Sequence, residues 1–272
     1  MKKIYTYNVK PGYRNLTVAD IKANKGVKKL TQVNAKNAEE AYAAGVANID
    51  MLICDSNNVE KVREGNDKLF LTASLRVAEY PTEPDILRAA FKALDLGADA
   101  IMTGRSMPIV SMLAREDIPV SGHLGLVPRK CTWFGGLRAI GKNADEAFEL
   151  FQQFRRLEDA GAFSVEAEVI PSRVLKEISK RTGLITVSLG SGGGGDVIYL
   201  FMEDVCGENS TQPKHARNFG DIFKLKELIK QERISALKKF HYSSINGEFP
   251  SKEEIAKIEE SEYDSFVEKL GT

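Results

Sequence analysis

IPVSGHLGLVPRKCTWFGG, residues 118–136, is the stretch from which the fold is best predicted. Ile118 to Val120 indicates a short buried strand, and Gly122 lets the backbone turn without the bulk of a Cβ atom. His123 is one of three histidines in the chain, and it lies where this strand gives way to a glycine-punctuated loop. In an α/β barrel, that end of a strand is the active-site face.

Strand patterns recur on both sides of this stretch. The other predicted strands are Lys29–Asn34, Asp50–Asp55, Leu69–Ser74, Ala100–Thr103, Phe163–Glu168, Ile185–Leu189 and Val197–Met202. Most are separated by amphipathic helical segments, so strands and helices alternate along the chain. This alternation predicts parallel pairing, and eight such repeats predict a (β/α)8 TIM barrel of the α/β class.

The ends of the helical segments carry capping signals. Thr82 and Asn143 are predicted N-caps, whereas Gly45, Gly97 and Gly161 are predicted to close helices at their C-terminal ends. An open doubly wound sheet is the alternative to the barrel. No G-x-G-x-x-G follows the first strand, which disfavours the open sheet.

The length of the chain suits one large domain. A (β/α)8 barrel commonly uses about 250 residues, and this chain has 272, of which 43% are hydrophobic. We therefore predict a single barrel domain over residues 1–272. Residues 1–28 are predicted to form an N-terminal extension under or beside the barrel. Residues 220–272 are predicted to supply extra C-terminal helices that cover the barrel and contribute to a subunit interface.

The composition of the chain limits the classes of molecule that it is expected to bind. Lys plus Arg and Asp plus Glu both number 38, so no excess of positive charge favours binding to nucleic acid or to an anionic membrane. No run of 18 apolar residues predicts a membrane span, and the N-terminus lacks the apolar region of a signal peptide. Three cysteines without CxxC spacing suggest neither a disulfide framework nor a zinc site. We expect a cytoplasmic homo-oligomer that binds small molecules.

Polar residues follow several predicted strands and would meet at one face of the barrel. They are Asp55, Ser56, Arg76, Arg105, His123 and Glu168. For any one of these residues taken alone, a structural role as a helix cap or a hydrogen-bonded polar group is the simpler explanation. Because an acid, a histidine and a second acid fall at the same face, a shared site explains them better.

Of two carboxylates on one strand, Glu168 is the stronger candidate for a catalytic residue. Strict alternation places Glu166 and Glu168 on the same face, opposite Val165 and Ala167. Acids are costly in the packed middle of a barrel, so Glu168 is expected to reach the open mouth and to act as a proton acceptor. The alternative for Glu168 is an ion pair with a neighbouring arginine or lysine.

The same residues resemble the ketopantoate hydroxymethyltransferase family. That family has a P-V-x-G-H-L-G-L-x-P segment followed by F-G-G, matched here by residues 119–128 and 134–136. Its D-S pair after the second strand matches Asp55 and Ser56, and its strand that ends in E-C-V-P matches Glu168–Pro171. The likeness runs from about Leu30 to Pro250.

The resemblance implies roles for the matched residues. Glu168 corresponds to the general base, Asp55 to a metal ligand, and Ser56 to the residue that holds the carboxylate end of the substrate. The family reaction transfers a one-carbon unit from methylenetetrahydrofolate to 3-methyl-2-oxobutanoate, a 2-oxo acid, with Mg²⁺ at the metal site. By this resemblance the chain is expected to use a small 2-oxo acid, with methylenetetrahydrofolate as possible co-substrate.

Two departures from the family pattern fall at the metal site. Ser74-Leu75-Arg76 stands where the family has a metal-binding aspartate in D-L-P, and Met102-Thr103-Gly104 stands where it has K-I-E. One carboxylate among neutral groups is a poor site for Mg²⁺, so the metal site is expected to be degenerate. Arg76 and Arg105 are predicted to supply fixed positive charge in its place and to bind the substrate carboxylate. The alternative is that both arginines turn to surface acids.

These observations predict an enzyme that removes the α-proton of a 2-oxo acid and then makes or breaks a carbon-carbon bond. A lyase or decarboxylase of the phosphoenolpyruvate mutase/isocitrate lyase type, acting on another small carboxylate, is the first alternative. A non-catalytic carboxylate-binding protein is the second.

Overall fold

The computed structural model describes residues 1–271. Its N-terminal segment begins with an antiparallel hairpin of β1 (Lys2–Tyr5) and β2 (Pro11–Arg14). Eight parallel strands then close into a barrel, in which β10 pairs with β3. The barrel strands are β3 (Leu30–Asn34), β4 (Met51–Asp55), β5 (Phe70–Ser74), β6 (Ala100–Met102), β7 (Val120–Gly125), β8 (Ser164–Glu168), β9 (Ile185–Leu189) and β10 (Val197–Leu200). The predicted (β/α)8 architecture is confirmed.

Helices flank the barrel strands. They are α1 (Val18–Ala23), α2 (Ala38–Val46), α3 (Val59–Gly65), α4 (Glu83–Asp95), α5 (Met107–Ala114), α6 (Ala144–Asp159), α7 (Ser172–Ser179) and α8 (Met202–Val205). A 3-10 turn at Gly192–Gly194 joins β9 to β10 in place of a helix. None of the helices in residues 1–271 combines the length and apolar character needed to cross a bilayer.

The barrel has an inner and an outer apolar layer because successive side chains of a strand point to opposite faces. The inner cluster includes Phe70 and Phe163, whose ring centroids lie 6.4 Å apart in an edge-on arrangement. The outer cluster joins Val165 and Ala167 of β8 to helix residues such as Phe154. Glu166 and Glu168 therefore lie on the inner side of β8, as the alternation predicted.

The N-terminal extension binds where the barrel strands begin. Arg14 is buried, and its guanidinium lies 2.8 Å from the carboxylate of Asp99, the residue just before β6. Arg63 of α3 donates to the same carboxylate at 2.7 Å. Ile21 of α1 packs into the inner cluster. This end of the barrel is thus closed by a paired buried charge and an apolar plug.

The chain divides into two compact units, residues 1–220 and 221–272. The second unit contains α9 (Ile222–Ile245) and α10 (Glu260–Lys269), neither of which has a buried residue. Its start coincides with the point at which the extra C-terminal helices were expected. A single domain over residues 1–272 stays a prediction.

Candidate active site

A cavity of about 510 Å³ opens at the C-terminal ends of the barrel strands. Several strands each contribute a side chain, since the carboxyl ends of parallel strands meet at one edge. The polar residues that line it are Asn34, Lys36, Asp55, Asn58, Ser74, Arg76, His123, Glu166, Glu168 and Tyr199. Four predicted site residues, Asp55, Arg76, His123 and Glu168, are therefore brought to one cavity.

His123 lies between two glutamates. In the strand register, His123 on β7 pairs with Glu166 on β8, and Gly125 pairs with Glu168. His123 Nε2 lies 2.8 Å from Glu168 Oε2, a hydrogen bond, and 3.9 Å from Glu166 Oε1. All three side chains are largely buried, so their charges interact with little screening by water.

The pKa values of this group reflect burial and mutual charge. Burial by itself lowers the pKa of His123, but the hydrogen bond to Glu168 and the charges of both glutamates outweigh it and raise that pKa above its ordinary value. Burial raises the pKa of Glu166, and the neighbouring Glu168 charge adds to this, against the opposing effect of His123. The arrangement favours the charged form of His123 and the neutral form of Glu166.

Asp55 and Arg76 form the opposite side of the cavity. The Arg76 guanidinium forms an ion pair with the carboxylate of Asp55 and lies 2.9 Å from a carboxylate oxygen of Glu79. Ser74 is the register partner of Asp55 on β5. The predicted cation is therefore present at this strand end, and it is already paired with the acid of β4.

Ser56 does not line this cavity. It is buried just past the end of β4, where its hydroxyl lies 3.4 Å from the hydroxyl of Tyr80 beside a smaller neighbouring pocket. The residue belongs to a 3-10 turn that follows Asp55, and the turn carries its side chain to the side of α4. A contact between Ser56 and the carboxylate end of a substrate stays a prediction.

Arg105 is also directed away from the cavity. Its guanidinium donates to the backbone carbonyl groups of Val77 and Tyr80, in the loop that follows β5. The residue stands three positions beyond the end of β6, close enough to this loop to hold its backbone in place. Its predicted contact with a bound carboxylate stays a prediction, while its observed contacts stabilise the rim of the site.

The residues around Asp55 do not fit a Mg²⁺ ion. A hard divalent cation takes several oxygen ligands, whereas the Asp55 carboxylate is engaged by Arg76, and the strand-end neighbours are Ser74 and the thioether of Met102. Within residues 1–271, one group of three side chains has potential ligand atoms within 4.8 Å of one another, namely His123, Glu166 and Glu168. An imidazole with two carboxylates suits a transition metal better than Mg²⁺.

The sequence analysis did not predict some of the residues that line the cavity. Lys36 lies two positions past the end of β3, and its Nζ atom is 3.0 Å from Glu203. Asn34 donates to the same carboxylate at 3.1 Å, and the buried Tyr199 lines the cavity from β10. The signal for Asn34 and Lys36 is their place at the end of the first barrel strand. Tyr199 lies within an apolar run, where nothing in the pattern separates it from the core.

Gly125 at the end of β7 allows the backbone to lie close to the end of β8, which carries Glu168. Its φ is +88°, and a Cβ atom there would lie 2.2 Å from the backbone oxygen of Glu168, which accepts a hydrogen bond from the Leu126 amide. We expect Gly125→Ala to lower the free energy of unfolding by about 3 kcal/mol, because left-handed strain and a backbone clash add.

Gly135→Ala is the matched control for this substitution. Gly135 has a φ of +73°, but a Cβ atom there would meet nothing within 4 Å. We therefore expect Gly135→Ala to lower the free energy of unfolding by only about 1 kcal/mol, from the left-handed strain alone. Urea unfolding of both variants measures the difference. Equal losses would contradict the proposed close approach between Gly125 and Glu168.

Comparison with known proteins places this site in a family context. Residues 56–252 match the ketopantoate hydroxymethyltransferase family. The 3-methyl-2-oxobutanoate hydroxymethyltransferase of Pyrobaculum aerophilum is 30% identical over 213 residues, which cover 77% of this chain and 77% of that protein. The enzyme of the same name from Thermotoga neapolitana is 30% identical over 266 residues, covering 88% and 96%.

Solved structures support the fold. A 2,3-dimethylmalate lyase of the PEP mutase/isocitrate lyase superfamily is similar with a TM-score of 0.51 at 14% identity, covering 88% of this chain and 92% of that chain. A phosphonopyruvate hydrolase in complex with oxalate and Mg²⁺ has a TM-score of 0.51 at 10% identity, covering 94% and 97%. At such low identity these likenesses show the barrel fold alone.

Proposed function

The chain belongs to the ketopantoate hydroxymethyltransferase family, and we propose that it removes the α-proton of a small 2-oxo acid and forms or breaks a carbon-carbon bond at that carbon. Membership of this family makes it an enzyme of the carbon-carbon bond transferase or lyase kind. The observation that carries the finer proposal is the buried pair of Glu168 and His123 at 2.8 Å, facing a cavity with Arg76 on its other side.

Glu168 would be the general base. The hydrogen bond between His123 Nε2 and Glu168 Oε2 holds the carboxyl group in one orientation, and Glu168 lines the cavity. A positioned base of this kind contributes about 100- to 10,000-fold to proton transfer. His123 would hold the Glu168 carboxylate in place through their hydrogen bond, a positioning role that agrees with the raised pKa of His123.

Arg76 would bind the carboxylate of the 2-oxo acid. Its guanidinium stays protonated and can hold a carboxylate through two parallel hydrogen bonds. Since it already contacts Asp55 and Glu79, substrate binding would require it to exchange one of these partners. The carboxylate of the substrate would then lie across the cavity from Glu168, with its α-carbon between them.

The experiment that tests the function is α-proton exchange. We expect the protein to catalyse the loss of the C3 proton of 3-methyl-2-oxobutanoate into deuterium oxide, followed by proton NMR, without a one-carbon donor. Pyruvate and 2-oxobutanoate serve as further 2-oxo acids. The variant Glu149→Gln, changed at an exposed site, is the control and should exchange at the wild-type rate. If the protein exchanges none of these 2-oxo acids faster than buffer alone does, the proposed function is wrong.

For the second substrate, we propose methylenetetrahydrofolate, which the family resemblance implies. The replacement of the family's K-I-E by Met102-Thr103-Gly104 favours a second candidate, a lyase or decarboxylase acting on another small carboxylate. The two are separated by products: hydroxymethyl transfer consumes the folate donor, whereas a lyase cleaves its substrate without it.

We also propose a cytoplasmic homo-oligomer. The apolar side chains exposed on α9 and α10, such as Leu237 and Phe266, support burial against further subunits. Size-exclusion chromatography with light scattering measures the oligomer, and a monomer at all concentrations would contradict it.

A further inference from the structure

Glu166 is a buried carboxyl group that the proposed function leaves without a role. Its side chain is 7% exposed, yet it lines the cavity and points inward from β8 beside Glu168. Within residues 1–271 its carboxyl group has no hydrogen-bonding partner, and the nearest cation, the imidazole of His123, lies 3.9 Å away. No buried side-chain nitrogen or oxygen atom in the described residues lacks a partner, so the Glu166 oxygens border the open space of the cavity, where they are available to a bound ligand.

The surroundings of Glu166 suit a neutral acid. Potential ligand atoms of Glu166, Glu168 and His123 lie within 4.8 Å of one another, so two carboxylates share one imidazole. A single positive charge balances a single negative charge, and His123 makes its hydrogen bond to Glu168. The phenol of Tyr199, whose pKa burial raises well above its ordinary range, also faces this group, and the positive charge of Arg129 acts on His123. The positive charge that opposes the raised pKa of Glu166 is that of His123, which makes its hydrogen bond to Glu168.

We propose that Glu166 is a catalytic acid that donates a hydrogen bond to the 2-oxo oxygen of the substrate, in the place where a metal ion would otherwise polarise that carbonyl. This proposal rests on the proposed function. It is consistent with the poor fit of the Asp55 region to Mg²⁺. Two carboxyl groups in one pocket, one ionised and one neutral, are the arrangement by which a site performs base and acid chemistry together.

The chemistry balances without a further reactant. The α-carbon proton moves to the Glu168 carboxylate, and the electron pair of that C–H bond becomes the second bond between the α-carbon and the carbonyl carbon. The carbonyl oxygen takes the negative charge and receives the proton from Glu166, which leaves an enol and an ionised Glu166. The proton on Glu168 is then replaced by a deuteron from the solvent, the deuteron adds to the α-carbon, and the enol oxygen returns its proton to Glu166, which completes exchange. In the full reaction, attack of the enol carbon on its electrophile returns the proton of the enol oxygen to Glu166.

Three variants test the role of Glu166 in the exchange reaction. Glu166→Gln keeps the shape and an N–H donor, so exchange is expected to fall by no more than about 10-fold. Glu166→Leu removes the donor, and exchange is expected to fall by about 100- to 1,000-fold, the usual cost of losing one donor to a developing oxyanion. Glu168→Gln in parallel removes the base while Glu166 remains.

The pH profile adds a readout that a structural role would not change. If Glu166 acts as the protonated acid, the wild-type exchange rate falls as the pH rises through the raised pKa of Glu166. Glu166→Gln, whose amide does not titrate, should lack that decline. A circular dichroism melt of each variant checks that the barrel is folded.

The outcomes are distinct. Equal rates for Glu166→Gln, Glu166→Leu and wild type would overturn the catalytic role. Exchange that is lost with a chelator, restored by Mn²⁺ or Zn²⁺, and accompanied by metal binding that Glu166→Gln abolishes in calorimetry would show that Glu166 holds a metal, which also overturns the proposal. Absence of exchange in the wild-type protein with every 2-oxo acid tested would refute the proposed function itself. A loss specific to Glu166→Leu supports the acid.

Discussion

Glu168→Gln is expected to lower the exchange of the α-proton of 3-methyl-2-oxobutanoate by about 100- to 10,000-fold, the usual contribution of a positioned base. Glutamine has nearly the same shape, and its amide can still meet His123 Nε2, which lies 2.8 Å from the glutamate oxygen. Binding of the 2-oxo acid should therefore change little. The measurement is deuterium exchange by NMR, with binding measured by calorimetry on the same samples.

Glu149→Gln is the matched control for Glu168→Gln. Glu149 lies on α6 and is exposed, paired only with Arg156 at the surface, so its replacement should leave exchange unchanged. Wild-type rates in Glu168→Gln would remove this residue from the mechanism. Loss of both exchange and binding would instead point to a role in holding the substrate.

The sequence predicted the barrel well because each barrel strand is a short apolar run with capped helices around it. Thr82 and Asn143 are the N-caps of α4 and α6, as expected. Gly45 was wrong as a helix end, since α2 continues to Val46 and the left-handed residue is Asn48, with a φ of +58°. A Cβ atom at Gly45 would lie 2.1 Å from the Asn66 side chain, so this glycine permits close packing, which a local pattern cannot reveal.

The candidate site was predicted in part. The ends of the strands can be recognised in the sequence. This was sufficient to predict that Asp55, Arg76, His123 and Glu168 share one cavity. The direction of a side chain beyond the strand end depends on the turn that follows. Arg105 therefore reaches backbone carbonyl groups that no residue pattern could identify.

A second carboxylate beside Asp55 is expected to decide whether the end of β4 binds Mg²⁺. We expect the wild-type protein to bind its 2-oxo acid equally well with and without excess chelator, because Arg76 occupies the Asp55 carboxylate. In Ser74→Asp/Arg76→Ala, a second carboxylate stands beside Asp55 on the neighbouring strand, where the two residues are register partners, and the competing guanidinium is gone. Two carboxylates form a much better site for a hard cation, and Mg²⁺ affinity is expected to rise by about 100-fold.

Ser74→Asn/Arg76→Ala is the matched control, since it removes the same guanidinium and adds an uncharged side chain of the same shape. Calorimetric titration with Mg²⁺ should give a gain in the aspartate variant and little in the asparagine variant, because the charge of the second ligand, not its size, attracts the cation. Tight Mg²⁺ binding by the wild-type protein that Asp55→Asn abolishes would contradict the argument. The same conclusion would follow if chelator removed 2-oxo acid binding from the wild-type protein, since the cation would then be required despite the ion pair between Asp55 and Arg76.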